Sequence, residues 1–153
     1  MKYERKQIKN LLPHREPMLL LDTVELVESV NEDGENIKNS VATYHVKGDE
    51  YFLQGHFPDN PVVPGVILCE MMAQSCCVLV DDNQDKNVLT FLTGLNNVKF
   101  KNPVRPGDTI EMTCKITKRA RIFLFAEGTA TVNGKICMMG EFSFALVPNN
   151  NIK

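Results

Sequence analysis

Two ionisable side chains lie in settings that are unusual for their types. His56 follows Gly55 and precedes a proline-rich segment, so its backbone surroundings are stiff. Glu70 lies inside an apolar run, where an ionised carboxylate is costly to desolvate unless a partner compensates it. An imidazole and a carboxyl group in one site are suited to general acid–base catalysis.

Two further residues could complete such a site. Gln74 follows Glu70 by four residues, so its amide can reach the carboxylate on the same helix face. Gly65 falls at the predicted start of that helix, where N–H groups are unpaired and a glycine lets a ligand carbonyl approach. A structural histidine, a buried Glu–Gln bridge and a glycine chosen for tight packing are the alternatives that the residues leave open.

The segment around these residues predicts a rigid arm followed by a buried helix. Pro58, Pro61 and Pro64 exclude regular helix and central strand from Gly55 to Gly65. The next residues, Val66–Val80, are apolar on nearly every face, which is typical of a buried helix. The polar residues 81–86 then predict a solvated turn that ends it.

The remainder of the chain predicts strands. Asn133-Gly134 is a strong hairpin signal between two of them, and Pro106-Gly107-Asp108 predicts a turn before another. The predicted strands are Val24–Val30, Ile37–Tyr44 (Ser40, Ala42 and Tyr44 on one face), Thr109–Ile116 (Ile110, Met112, Cys114 and Ile116 on one face), Ile122–Val132 and Lys135–Val147. One long helix with five or six mostly antiparallel strands predicts an α+β fold, with one sheet face left for a partner subunit.

Composition favours one soluble domain over residues 1–153, with a frayed tail at 148–153. The 153 residues are 43% hydrophobic and carry a formal charge of −2, which does not suggest a nucleic-acid-binding protein. No apolar run is long enough to span a bilayer, so we expect no membrane insertion. The five cysteines form no CxxC pair, which predicts reduced thiols in a cytoplasmic protein and no zinc site.

Motifs along most of the chain resemble one family. These are Leu12-Pro13-His14-Arg15, Leu20-Leu21-Asp22, Gly55-His56-Phe57-Pro58, residues 61–66, Glu70-Met71-Met72-Ala73-Gln74, residues 100–108 and Gly128-Thr129-Ala130-Thr131-Val132. In this order they resemble the (3R)-3-hydroxyacyl-acyl-carrier-protein dehydratases of the FabZ type, within the FabA/FabZ family. The resemblance implies the hotdog fold, in which an antiparallel sheet wraps a long central helix.

The resemblance also implies roles for particular residues. His56 and Glu70 stand at the catalytic positions, Gly65 where a backbone N–H holds the thioester carbonyl, and Val62 where a carbonyl anchors the histidine ring. Glu70 favours plain dehydration, since isomerising relatives usually carry aspartate there. Asp59-Asn60 departs from the family pattern and puts the shape of the site mouth in question. No metal or organic cofactor is implied.

The implied partners are an acyl carrier protein with a phosphopantetheine-linked 3-hydroxyacyl chain and further copies of the chain, as a dimer or a trimer of dimers. In the family, the histidine and glutamate of one site come from different subunits. The basic residues Lys99, Lys101, Arg105, Arg119 and Arg121 suggest a docking patch for the acidic carrier, although solvated strand faces explain most of them. A hotdog acyl thioesterase and a non-catalytic acyl-binding module are the alternative functions.

Overall fold

The computed structural model describes residues 1–80 and 88–148. The turn predicted at 81–86 and residues 149–153 of the predicted frayed tail lie outside this range. The elements in chain order are β1 (Lys2–Glu4), α1 (Arg5–Ile8), β2 (Thr23–Val30), β3 (Asn36–His45), a 3₁₀ turn (Tyr51–Leu53), α2 (Gly65–Cys77), β4 (Val88–Phe100), β5 (Thr109–Ala120), β6 (Phe123–Val132) and β7 (Lys135–Pro148).

The strands form one sheet in the order β1-β2-β3-β5-β6-β7-β4, and every described pair is antiparallel. Helix α2 packs against β3, β5 and β6. The predicted α+β architecture, a sheet around one long helix, is therefore confirmed. Within the described residues no helix is long and apolar enough to cross a membrane.

Alternation along the strands explains which face covers the helix. The inward residues of β5 are Ile110, Met112 and Cys114, each at most 1% exposed, as the sequence pattern predicts.

At the β6–β7 hairpin, Asn133 and Gly134 both have positive φ, the conformation that a two-residue primed turn requires.

Two expectations about the elements were wrong. Helix α2 ends at Cys77, three residues early, because residues 78–80 continue as tighter turns with hydrogen bonds such as Leu79 N–H to the Cys76 carbonyl. Pro148 belongs to β7 and pairs with Val88, so this residue of the predicted tail is part of the sheet.

The cysteine prediction was wrong for one pair. Cys76 at the end of α2 is joined to Cys114 of β5 by a disulfide, with Cα atoms 5.7 Å apart, while Cys69, Cys77 and Cys137 are free thiols. The two bonded residues are 38 positions apart and belong to no motif. Only the packing of α2 on β5 brings them together.

A buried hydrogen bond fixes the end of α2 on the sheet. The Ser40 hydroxyl of β3 donates to the Ser75 carbonyl at 2.7 Å, and both residues are fully buried. Carbonyl groups in the last turn of a helix lack partners within the helix, so a side chain from the sheet supplies the donor.

Substitution of Ser40 by alanine should therefore destabilise the protein. The Ser75 carbonyl would stay buried without this donor, which costs about 1–3 kcal/mol of unfolding free energy. Chemical denaturation measures the loss, and Ser29→Ala on β2, at a partly exposed serine, is the matched control. Equal stability of the two variants would contradict the role assigned to Ser40.

Candidate active site

A closed loop holds His56 in one orientation. Gly55 has φ of +87°, which favours glycine directly before the histidine. The Val62 N–H donates to the His56 carbonyl at 2.8 Å, and Phe57 and Asn60 exchange two backbone hydrogen bonds inside the loop. The His56 ring also stacks on Phe57 with centroids 4.1 Å apart.

The same loop fixes which nitrogen of His56 carries the proton. His56 Nδ1 lies 2.9 Å from the Val62 carbonyl oxygen. A carbonyl can only accept, so Nδ1 is the donor and the neutral ring has its lone pair on Nε2. Nε2 is therefore the atom that can take a proton.

His56 lines a cavity of about 400 Å³ together with Val62, Gly65 and Leu68, on the side of residues 100–104. Gly65 is the first residue of α2, and its N–H has no acceptor among the described residues. A Cβ at this position would lie 3.0 Å from the Phe100 ring, so glycine leaves room for the ring beside the helix start. The cavity thus combines a base with an unpaired amide at the positive end of a helix.

Glu70 lies elsewhere on the helix, in a second cluster. Gln74 Nε2 donates to Glu70 Oε2 at 2.9 Å, as the four-residue spacing predicts. His14 Nε2 lies 3.6 Å from the same oxygen. His14 is part of the Leu12-Pro13-His14-Arg15 motif, but no sequence pattern indicated a role for its side chain.

The Gln74 amide is fully buried and its orientation is fixed by the backbone of the segment before β2. Its Oε1 accepts from the Leu20 N–H at 2.9 Å, and its Nε2 donates to the Met18 carbonyl at 2.7 Å. Exchanging the amide oxygen and nitrogen would break both bonds, so the remaining N–H must point at Glu70.

Within one chain the two clusters face different directions. Leu68 lines the cavity of His56, and Glu70 follows by two residues, which is about 200° around an α-helix. No described contact joins His56 to Glu70. The geometry of one chain therefore keeps the His56 cavity and the Glu70 cluster apart.

The mouth of the His56 loop shows how the unusual Asp59-Asn60 pair is accommodated. Asp59 adopts a positive φ of 60°, a conformation that aspartate tolerates better than most residues. The Arg105 guanidinium donates to Asn60 Oδ1 and so links this turn to the segment before β5.

The basic residues do not form one patch within the chain. Lys101 lines the His56 cavity and Arg105 contacts its loop, whereas Arg119 and Arg121 lie at the other end of β5. The twelve-residue strand separates its two ends by about 36 Å. Of these basic residues, Lys101 and Arg105 therefore lie beside the His56 cavity, and the two arginines at the far end of β5 are exposed to solvent.

Comparison with known proteins identifies the family. A model of the FabA-like domain matches residues 12–141. The FabZ 3-hydroxyacyl-[acyl-carrier-protein] dehydratase of Clostridium perfringens is 41% identical over 141 residues, covering 92% of this chain and 96% of that protein. The chain belongs to the FabZ-type dehydratase family. The FabZ of Streptococcus agalactiae is 42% identical over 142 residues, with the same coverage of both chains.

Solved structures of other proteins share the hotdog fold of this FabZ-type chain. The dehydratase heterocomplex ApeI:P from Xenorhabdus doucetiae contains a chain with a TM-score of 0.74 and 20% identity, covering 94% of this chain and 92% of that one. The fluoroacetyl-CoA thioesterase FlK has a TM-score of 0.66 and 13% identity over 80% of this chain and 90% of its own. At these identities the likeness shows the fold alone.

The hydrogen bond to Val62 predicts the tautomer of His56 in solution. Long-range ¹H–¹⁵N NMR at a pH where the ring is neutral should show Nδ1 protonated and Nε2 unprotonated. His45, whose Nδ1 faces a hydroxyl that can donate or accept, is the internal reference because nothing in its contact fixes the tautomer. An Nε2–H tautomer of His56 would refute the assignment of Nε2 as the free base.

Proposed function

We propose that the protein, as a single dehydratase domain, removes water from (3R)-3-hydroxyacyl chains on an acyl carrier protein and forms the trans-2-enoyl thioester in fatty-acid elongation. The observation that carries the proposal is the free Nε2 of His56 beside the unpaired Gly65 N–H. Membership of the FabZ-type family, with relatives 41–42% identical over about nine-tenths of the chain, supports the reaction.

His56 is the proposed general base. The Cα proton of a thioester is weakly acidic, and its removal places negative charge on the carbonyl oxygen. Nε2 takes the proton, and the charge that this leaves on the ring is shared with Val62 through Nδ1–H. The Gly65 N–H stabilises the enolate-like oxygen, and one such donor typically contributes about 2.7–4 kcal/mol.

Glu70 is the proposed general acid. As the C3–O bond breaks, the carboxyl group gives its proton to the departing hydroxyl, which leaves as water. The electron pair of the Cα–H bond becomes the new carbon–carbon double bond. The proton gained by His56 then returns to Glu70 before the next turnover. Neither oxidation nor reduction occurs, so this chemistry requires no redox cofactor.

A homodimer would bring the two groups together. Val66, one turn before Glu70 on the same side of α2, is 76% exposed although most of the helix is buried. An apolar residue left open beside the glutamate favours a second α2 against this face. The partner's loop would then supply His56 to the Glu70 of this chain.

The edge strand β4 supports the same dimer. Among the described strands it pairs only with β7, and it presents Phe91, Leu92 and Leu95, each more than 40% exposed. A long apolar edge is an aggregation hazard unless another strand covers it. Pairing with β4 of a second copy would extend the sheet, and a trimer of such dimers would keep each paired site.

The carrier protein would approach at the end of the molecule that holds the cavity. Lys101 and Arg105 lie there and would attract an acidic partner.

We also propose a cytoplasmic location, supported by the free thiols Cys69, Cys77 and Cys137. The Cys76–Cys114 disulfide is at most 1% exposed, which protects it from thiol exchange.

A product assay tests the function and distinguishes the two alternatives. With a 3-hydroxyacyl thioester we expect enoyl thioester and no release of free thiol. Free acid and thiol would indicate a thioesterase, and an unchanged substrate would indicate a binding module.

His56→Ala and Glu70→Gln should each lower the rate of dehydration at least ~10²-fold without changing the fold, as expected for general acid–base residues.

Mixed dimers test whether the site is shared. When His56→Ala and Glu70→Gln proteins are unfolded and refolded together, about half of the dimers should be mixed. Each mixed dimer would contain one intact site, so about a quarter of wild-type activity should return. Tagged subunits verify the exchange. Activity that remains at the level of the single variants despite exchange would refute the shared site.

A further inference from the structure

His14 contacts Glu70 but has no role in the proposed mechanism. Its Nε2 lies 3.6 Å from Glu70 Oε2, and its Nδ1 is buried without a hydrogen-bond partner among the described residues. A histidine retained only for structure would ordinarily have its buried nitrogens satisfied. The polar contact that this ring makes within the described residues is the one to Glu70.

The surroundings of His14 favour a neutral ring. Desolvation lowers the pKa of His14 below its usual value, Glu70 acts in the opposite direction, and neighbouring Arg15 adds to the lowering. The free thiol of Cys77, which lines the same small cavity, is uncharged at neutral pH because burial and then Glu70 raise its pKa to about 12. Glu70 is thus the titratable group that the ring faces directly.

A neutral imidazole has one N–H, and the geometry selects its position. On Nε2 it points at Oε2 of the Glu70 carboxyl group. On Nδ1 it would be buried without an acceptor, and the lone pair of Nε2 would face the lone pairs of Oε2. The Nε2–H tautomer avoids both penalties.

Two donors then converge on one oxygen of Glu70, since the amide of Gln74 points at the same Oε2. Oε2 is occupied as an acceptor, which leaves Oε1 as the oxygen available to carry an exchangeable proton. The 3.6 Å separation is longer than a hydrogen bond, but such contacts often tighten only when substrate is bound.

We propose that His14 is a positioning residue for Glu70, because its Nε2–H and the Gln74 amide together hold Oε2 and direct the acidic proton to Oε1. The proposal rests on the proposed function, in which Glu70 protonates the leaving hydroxyl. When the Oε1–H bond breaks and water departs, the charge left on the carboxylate is stabilised by both donors.

Two amide substitutions that differ by one methylene test the proposal. The amide nitrogen of His14→Gln reaches the position of Nε2, whereas that of His14→Asn reaches only Nδ1. We expect His14→Asn to lower kcat about tenfold, within the coupling range of contacting residues, with little change in KM. His14→Gln should retain most of the activity. His45→Gln, at an exposed histidine, is the control and should behave as the wild type.

A double-mutant cycle separates positioning from general damage. If His14 acts through Glu70, His14→Asn should lower the single-turnover rate about tenfold in the wild type but less than about twofold when added to Glu70→Gln. Equal losses in both backgrounds, or equal losses in the Gln and Asn variants, would overturn the proposal.

The activity of the wild type and its NMR spectrum distinguish failure of the proposed function from failure of the role of His14. Wild-type protein that forms no enoyl product would refute the proposed function, whereas active wild type with an unimpaired His14→Asn would refute only the role of His14. Should His14→Asn fail to fold, ¹H–¹⁵N NMR of the wild type decides, because Nε2–H is expected for His14 and Nδ1–H would overturn the proposal.

Discussion

The hydrogen bonds of the Gln74 amide are the constraint on which the site depends. A fully buried amide inside an apolar helix must have its donors and acceptor satisfied, or it destabilises the fold. Leu20 and Met18 satisfy it from a segment without regular secondary structure. The same bonds attach that segment to α2 and leave one N–H aimed at Glu70. The hydrogen bonds that satisfy the buried amide in the core therefore also orient the proposed acid.

The proposed base is held by the hydrogen bonds of its own loop. His56 lies on a loop, yet the loop is closed by backbone hydrogen bonds and anchored where the Val63 N–H donates to the Val104 carbonyl at 2.8 Å. The ring is held through its own Nδ1, so Nε2 stays free. Little reorganisation is then required before proton transfer, which is the electrostatic advantage of a preorganised site.

Sequence patterns predicted the features that depend on local chemistry. Alternation identified the buried face of β5, the proline-rich segment identified the arm before α2, and the spacing of Glu70 and Gln74 identified their hydrogen bond. Features created by tertiary contact were missed. Cys76 and Cys114 meet only because α2 lies on β5, and His14 reaches Glu70 from 56 residues away. The motif that contains His14 was visible, but no local rule connects a turn histidine to a helix carboxylate.

The proposed division of the site between two chains would explain why each half carries its own orienting groups. Val62 fixes His56, while Gln74 and His14 contact Glu70, and all these partners belong to the chain of the residue that they orient. A subunit interface fixes the relation of two rigid halves but not the rotation of a side chain within either half. Each half must therefore be oriented before association. In the proposed dimer both side chains would already be oriented, and pairing of the α2 faces would supply the remaining positional order. The entropy cost of assembling acid and base would then be met by folding and dimerisation before substrate binds.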